Sequence, residues 1–346
     1  MKHISPSLAA LAVAALALAG CSTDGGTDDA DAAPDAAEDT SATDSGDDAS
    51  PAADAAGGTD GEFTFAVVTH GTPGDAFWDV VKSGADQAAS DLDVSVTYQG
   101  DGDPVAQSQL IDSAVASGAD GLIVSMANPD GVREAVENAV AEGIPVITIN
   151  SGLDQSQEFG AQTHVGQSEF IAGQGAGEQL AEAGVTSVIC VIHEAGNSGL
   201  EERCAGAEDT LGGTVTNIQV DIANLADAQN TIQSTLLADP SIDGVLTLNP
   251  GIAVSASQAV EEAASEATLA TFDVSEDVTQ LIQDGAILFA VDQQPYSQGY
   301  LPVTFLALQM RNGDTVGGGQ PVYSGPGFVT EENAAQVAEF AQNGTR

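Results

Sequence analysis

Seven short apolar runs in this chain are each followed by a cluster of side chains that could do chemistry. After 63–69 comes His70-Gly71-Thr72-Pro73-Gly74-Asp75-Ala76-Phe77-Trp78. After 121–126 come Ala127, Asn128 and Pro129, and after 144–149 come Asn150, Ser151 and Gly152. After 187–192 comes His193-Glu194-Ala195-Gly196-Asn197, with Glu201-Glu202-Arg203 a few residues on. Asn249-Pro250 follows 243–248, Asp273 follows 267–272, and Gln293-Gln294-Pro295-Tyr296 follows 287–292. The set is mostly amides, with a few carboxylates, one guanidinium and an adjacent Phe-Trp pair. Such groups hydrogen-bond hydroxyls and stack on the C–H faces of a sugar-like ring. Any one of them has an ordinary alternative, because Asn and Asp cap helices after strands. Their recurrence after one run after another is the stronger signal.

Other constellations fail on spacing. His3, His70, His164 and His193 share no metal-ligand interval, and no Ser-His-Asp set has a nucleophile elbow around it. Gly173, Gly175 and Gly177 depart from a dinucleotide loop by one residue and sit in a helix-period stretch, which favours close helix packing. Asp75 and Asp273 invite a glycosidase reading, but paired carboxylates need a raised-pKa partner, and the amides around them are those expected of a binder. No cofactor or metal is expected, and the aspartate-rich stretch near the N-terminus lacks a calcium-loop register.

The runs that carry the clusters are short and β-branched: 63–69, 94–98, 121–126, 144–149, 187–192, 215–220, 243–248, 267–272 and 287–292. Between them, helical periodicity predicts helices over 76–91, 105–117, 130–142, 168–183, 226–238 and 252–265. In 105–117 the apolar stripe is Val105, Ala106, Leu110, Ile111, Ala114 and Val115. Strand–helix alternation implies parallel sheets covered on both faces. About nine strands exceed one comfortable open sheet, so two doubly wound lobes are expected. In such sheets ligands bind beyond the carboxyl ends of the strands, where the clusters lie. Phe77 and Trp78, on the first turn of a helix, point about 100° apart. At least one should face the cleft; the alternative puts Trp78 in the core and leaves Phe77 to the ligand. Cys190 and Cys204 would either pair in an oxidising compartment or remain two buried thiols.

The chain has 346 residues, with 52 Asp and Glu against 6 Lys and Arg, and a formal net charge of −46. That excludes a nucleic-acid partner, which needs a basic footprint, and argues against anionic ligands and lipid surfaces. Residues 1–21 have a short basic start and an apolar run from Leu8 to Leu18, too short to span a membrane and right for an export signal. The segment ends Leu18-Ala19-Gly20-Cys21, which resembles the lipobox of bacterial lipoproteins and implies lipidation of Cys21 and a lipid anchor on the outer face of the cell membrane. Residues 22–61 hold 12 acidic residues, no Lys or Arg, and no aliphatic or aromatic residue larger than Ala apart from Pro. Such a segment has nothing to bury and is expected to be a disordered acidic linker. The acid excess of 62–346 is evenly spread and reads as a solvated surface.

Taken together, VVTHGTPGDAFWDVVKSGA at 67–85, IPVITINSG at 144–152, HVGQSEFIAGQGAG at 164–177, GLEERCAG at 199–206, TFD at 271–273 and DQQPYSQGY at 292–300 resemble the sugar-binding proteins of bacterial ABC importers. These are the ribose-binding-protein type of the type I periplasmic binding protein fold. The resemblance implies an α/β protein of two doubly wound lobes joined by a three-segment hinge: 62–165 with 295–322, and 166–294 with 323–346. By that resemblance Phe77 and Trp78 stack on the ligand ring, and Asp75 makes a polar contact just before them. Arg203, Asn249, Asp273 and Gln293 hydrogen-bond hydroxyls, and His70 (or Thr69) and Ser125 line the same mouth. Asn150-Ser151 stands where many relatives have Asp-Arg, so the hydroxyl pattern recognised should differ from that of ribose. Asn224 stands where some relatives place an aromatic. The expected function is a monomeric, non-enzymatic binding lipoprotein that captures a small neutral sugar or polyol and delivers it to an ABC permease. The alternatives are a nucleoside-binding lipoprotein on the same fold and a sugar sensor presenting ligand to a membrane receptor.

Overall fold

The computed structural model describes residues 63–346. The expected export signal, Cys21 and the acidic stretch lie outside the described residues. Two six-stranded sheets organise the rest.

The first sheet is built from β1 (Thr64–Thr69), β2 (Ser95–Gly100), β3 (Gly121–Ser125), β4 (Val146–Asn150), β5 (Thr163–Gly166) and β11 (Val322–Tyr323), in the order β11-β5-β4-β3-β1-β2. The second contains β6 (Ser187–Ile192), β7 (Thr214–Gln219), β8 (Gly244–Thr247), β9 (Thr268–Phe272), β10 (Phe289–Asp292) and β12 (Gly327–Thr330), in the order β12-β10-β9-β8-β6-β7. All pairings are parallel except β10 with β12. The central strands β3 and β4 are buried along their whole length, as continuous β-branched runs must be when helices cover both faces. Two apolar clusters flank each sheet, one per face.

Among the described residues twelve strands stand where nine are expected from the sequence. The three additional ones, β5, β11 and β12, have four, two and four residues. They are too short for an alternation to register, and neighbours rather than sequence recruit them. The six expected helices correspond to α1 (Ala76–Leu92), α2 (Pro104–Ala116), α3 (Pro129–Ala141), α5 (Glu169–Glu182), α7 (Leu225–Ala238) and α8 (Pro250–Glu262). Five others complete the layers: α4 (Leu153–Ser156), α6 (Ser198–Leu211), α9 (Glu276–Gln283), α10 (Pro295–Asn312) and α11 (Ala334–Gln342).

Glycines set the closest helix contacts. A Cβ on Gly173 of α5 would lie 2.2 Å from the Arg203 carbonyl, and one on Gly206 of α6 would lie 2.1 Å from the Phe170 carbonyl. The Gly173–Gly177 stripe is thus a backbone-to-backbone seam between α5 and α6. In the first lobe Gly84 of α1 and Gly299 of α10 do the same work against Tyr296 and Val81.

The chain passes between the sheets three times: after β5, after β10, and between β11 and β12. The crossings are knitted together. The Ser324 backbone N–H donates to the Gly166 carbonyl (2.7 Å), and its hydroxyl donates to the Gln293 carbonyl (2.7 Å). Gln298 donates from Nε2 to both the carbonyl and the Oε1 of Gln293, each at 3.0 Å.

Candidate functional site

The strand ends of both sheets face a shared space between the lobes. From the first lobe it is lined by His70, Asp75, Phe77, Trp78, Asn150 and Ser151. The second lobe supplies His193, Glu194, Asn197, Leu200, Arg203, Leu248, Asn249 and Asp273, and Gln293 enters from the second crossing. The lobes touch around it: the backbone N–H of Ser198 donates to the Ala127 carbonyl at 3.0 Å, and His70 Nε2 lies 3.8 Å from Glu194 Oε2.

Several lining residues also cap helices. Asp75 Oδ1 accepts from the Phe77 N–H (3.0 Å) at the start of α1, and Asn249 Oδ1 accepts from the Gly251 N–H (2.8 Å) at the start of α8. Asn197 Oδ1 accepts from the Gly199 N–H (3.0 Å) at the start of α6. Capping fixes the rotamers of Asp75 and Asn249, and the Asn249 amide also hydrogen-bonds the Asp75 carboxylate across the two lobes. Both residues line the cavity, so capping and ligand contact are compatible at these positions.

The aromatic wall is rigid. Trp78 meets Phe77 edge-on at 5.0 Å and His70 edge-on at 4.8 Å. Its ring lies on the Gly71 backbone so closely that a Cβ there would come within 2.3 Å of the indole. Both aromatics belong to a core cluster of the first lobe and both line the cavity. Core packing and ligand contact, posed as alternatives for Trp78 in the sequence, coexist.

Arg203 is buried and aimed. Its Nε donates to Glu169 Oε2 at 2.6 Å and its Nη2 to Glu169 Oε1 at 3.1 Å, a bidentate pair. Its guanidinium carbon sits 4.6 Å above the centre of the Phe272 ring. Burial works against its charge, but Glu169 outweighs it and the pKa is raised. The remaining nitrogen, Nη1, has only distant neighbours, the Leu248 carbonyl at 3.5 Å and Asp273 Oδ2 at 4.0 Å. That nitrogen is the donor left for a ligand. Glu169 carried no signal of its own in the sequence, where it is one acid among 52.

A relay of amides connects the lobes. Ser151 Oγ donates to Asn150 Oδ1 (2.9 Å), Asn150 Nδ2 to Gln293 Oε1 (3.0 Å), and Gln293 Nε2 to Asp273 Oδ1 (2.8 Å). Asn150 and Asp273 both have left-handed backbones, with φ of 60° and 66°. Asn and Asp tolerate that region better than other side chains, and such strain collects at ligand clamps. Burial pushes the Asp273 carboxyl up to about 7 despite nearby Arg203. Burial, aided by the charge of Glu194, pushes Asp75 up to about 6 against the Phe77 N–H bond and the Asn249 amide.

Ser125 does not line the cavity, contrary to its expected place at the mouth. It is fully buried at the end of β3, and its hydroxyl oxygen accepts from the His70 backbone N–H at 2.9 Å. The hydroxyl proton is then free to go to His70 Nδ1, 2.7 Å away. Burial lowers the His70 pKa against the charge of Glu194, which its Nε2 faces at 3.8 Å. Ser125 orients a lining residue from behind. Thr69 is likewise buried, with its Oγ1 accepting from the Gly71 N–H. Asn224 caps α7 and is not among the lining residues.

His193 has no such support. Its Nδ1 is buried without a hydrogen-bond partner, and burial lowers its pKa to about 4. The register explains this. Phe65 of β1 pairs with Gly121 and Val188 of β6 pairs with Gly244, so Ser125 in the first lobe corresponds to Leu248 in the second. Leucine offers the ring nothing. His193, Glu194 and Asn197 follow a strand in the same way as the expected residues, and only the lack of a polar pattern specific to them kept them off the expected set.

Cys190 of β6 and Cys204 of α6 form a disulfide. His193, Glu194, Asn197, Leu200 and Arg203 all lie on the segment that it closes. Among the described residues no cluster of His, Cys, Asp or Glu could hold a metal ion.

Two doubly wound lobes around a shared polar cavity, crossed three times by the chain, define a two-lobed binding protein. Comparison with known proteins agrees. The chain belongs to the periplasmic binding protein domain family, whose profile matches residues 65–314. A solved carbohydrate transporter from Acidothermus cellulolyticus, in complex with myo-inositol, is 43% identical, with a TM-score of 0.81 over 82% of this chain and 99% of that one. The xylose/arabinose-binding protein of Sulfolobus acidocaldarius is 26% identical over 64% of this chain and 60% of its own length. The ribose import binding protein of Bacillus subtilis is 24% identical over 69% of this chain and 79% of its own. All three relatives are named for the binding, import or transport of carbohydrates.

Proposed function

We propose that this protein is the extracytoplasmic binding component of an ABC importer and that it holds a neutral monosaccharide or polyol between its lobes. The observation that carries this reading is the composition of the cavity wall. One side is a fixed aromatic surface, Phe77 and Trp78, and the other is a ring of single donors and acceptors from Asp75, Asn150, Arg203, Asn249, Asp273 and Gln293. The only cation in the wall is already paired with Glu169, so an anionic ligand would find no free positive charge. The relative crystallised with myo-inositol makes a cyclitol the first candidate, and the other relatives add xylose, arabinose and ribose. The segments 62–165 with 295–322 and 166–294 with 323–346 would open and close about the three crossings. Cys21 would carry the lipid anchor, and the acidic linker would hold the binding unit, a monomer, off the membrane toward its permease.

Isothermal titration with myo-inositol, D-xylose, L-arabinose and D-ribose tests the site. Binding of at least one is expected, accompanied by a change in the emission of Trp78, the chain's only tryptophan. No binding by any of the four would sink the reading. Cys21→Ser is expected to leave the precursor unprocessed or release the protein; a mature-sized, membrane-bound variant would exclude the anchor.

A further inference from the structure

We infer that the ligand is larger than one ring: the structure provides a second chamber, beyond His70, His193 and Glu194, that takes a neutral polar substituent joined to the ring in the first. This inference rests on the proposed sugar or polyol reading and extends its substrate class to O-glycosides.

A second space of about 350 Å³ adjoins the first. The two share His70, His193, Glu194 and Asn197 in their walls, so they are neighbouring rooms of one cleft. Thr72, Pro104 and Asn128 line the outer room from the first lobe, and Val220, Asp221 and Ile222 from the second. An occupant there would bridge the lobes as the inner ligand does.

His193 is 7% exposed and lines both rooms, so it stands at their junction. The contact that parts the rooms, His70 Nε2 to Glu194 Oε2, is 3.8 Å long, beyond hydrogen-bond range. A ligand oxygen set beside that pair could hydrogen-bond both partners at normal length.

The lining selects the substituent's chemistry. Among its described residues the outer room offers Glu194 and Asp221 and no Lys or Arg, so a phosphate or carboxylate would be repelled. Hydroxyl- and amide-bearing Thr72, Asn128 and Asn197 alternate with apolar Pro104, Val220 and Ile222. That mixture suits a second sugar ring, which has hydroxyl edges and C–H faces. A purely apolar group would leave the amides and carboxylates unpaired.

Calorimetry with pairs of probes tests this: myo-inositol against a galactosyl-myo-inositol, xylose against xylobiose, and arabinose against arabinobiose. At least one glycoside is expected to bind as tightly as its parent ring or tighter. Thr72→Trp, at an exposed position on the outer room alone, is expected to weaken that glycoside tenfold or more and leave the parent ring within twofold. Ala195→Trp, exposed on the opposite wall, should do the same and guards against one variant failing to fold. If a ring binds and every glycoside binds a hundredfold weaker, or if both Trp variants leave glycoside affinity unchanged, the second chamber is not a ligand site and the single-ring reading survives. If neither rings nor glycosides bind, the sugar or polyol reading itself fails and takes this one with it.

Discussion

His70 and His193 each follow the first strand of their lobe, Asn128 and Asn249 each cap the helix after the next strand of the sheet, and Asn150 and Asp273 each end the strand beyond that with a left-handed backbone. The two lobes thus repeat one strand order and place a polar group at the same strand ends. They differ in what the first helix presents. In the first lobe the opening turn of α1 carries Phe77 and Trp78, locked into the core and against the Gly71 backbone. In the second the opening turn of α6 carries Gly199 and Leu200, and one turn later Arg203, locked by Glu169. One lobe provides contact area, the other directed hydrogen bonds. A repeated scaffold can divide recognition in this way because the strand ends converge whatever the side chains, while the helix faces are free to specialise.

The largest expected effect separates the two kinds of lock. Glu169→Ala leaves a buried guanidinium unpaired and should destabilise the protein by about 3–5 kcal/mol. Adding Arg203→Met should recover much of that, since a buried pair replaced by apolar groups is often nearly neutral. Urea unfolding of the single and double variants measures both, and an additive double variant would mean that Arg203 is not held by Glu169. Trp78→Ala should cost about 3 kcal/mol, the low end for a core aromatic, because one side of the ring faces the cavity rather than packed atoms. It should also weaken ligand binding. Loss of binding with a wild-type melting temperature would show that the ring is not part of the first lobe's core.

The last prediction concerns Asp273. Its carboxyl, near 7 when folded against 3.8 ordinarily, favours the folded state only in its neutral form. That contribution is complete below about pH 4 and is lost as pH rises through 7. The melting temperature of the ligand-free protein should therefore fall over that range. The net charge of −46 produces a slope of the same sign, so the informative quantity is the difference between wild type and Asp273→Asn. The variant should be flatter, by roughly 2–4 °C for each kcal/mol of linkage removed. Parallel slopes would mean that Asp273 titrates as an ordinary surface acid.

Much of the site was readable because strand ends leave a local trace: a buried β-branched run followed by a polar or capping residue. Asp75, Asn150, Asn249, Asp273 and Gln293 all carry that trace, and the structure brings them to one cavity. What was not readable acts from a distance. Glu169 matters only because the glycine seam brings α5 against α6, and Ser125 only because it sits behind His70. Leu248 shapes the site by failing to be a serine, which no local pattern can express. The fold shows the same division. The nine expected strands form on their own sequence, whereas β11, two residues long, exists only as an edge laid on β5. Helix α6 was obscured because its acids and glycines, which serve Arg203 and the seam, interrupt the apolar stripe.

The bond between Cys190 and Cys204 turns the segment between them into a macrocycle, and five residues of the cavity wall are mounted on it. Cyclisation improves a small ligand by removing, before binding, the freedom that binding would otherwise consume. Here the receptor is the cyclised partner. A loop of about 15 residues so closed loses roughly 3 kcal/mol of unfolded-state freedom in the chain-entropy account. That loss falls on the rim that must meet the ligand, not on the sheets, which have their own cores. The pincer therefore has one jaw whose grip is pre-shaped by packing and one whose grip is pre-shaped by covalent closure.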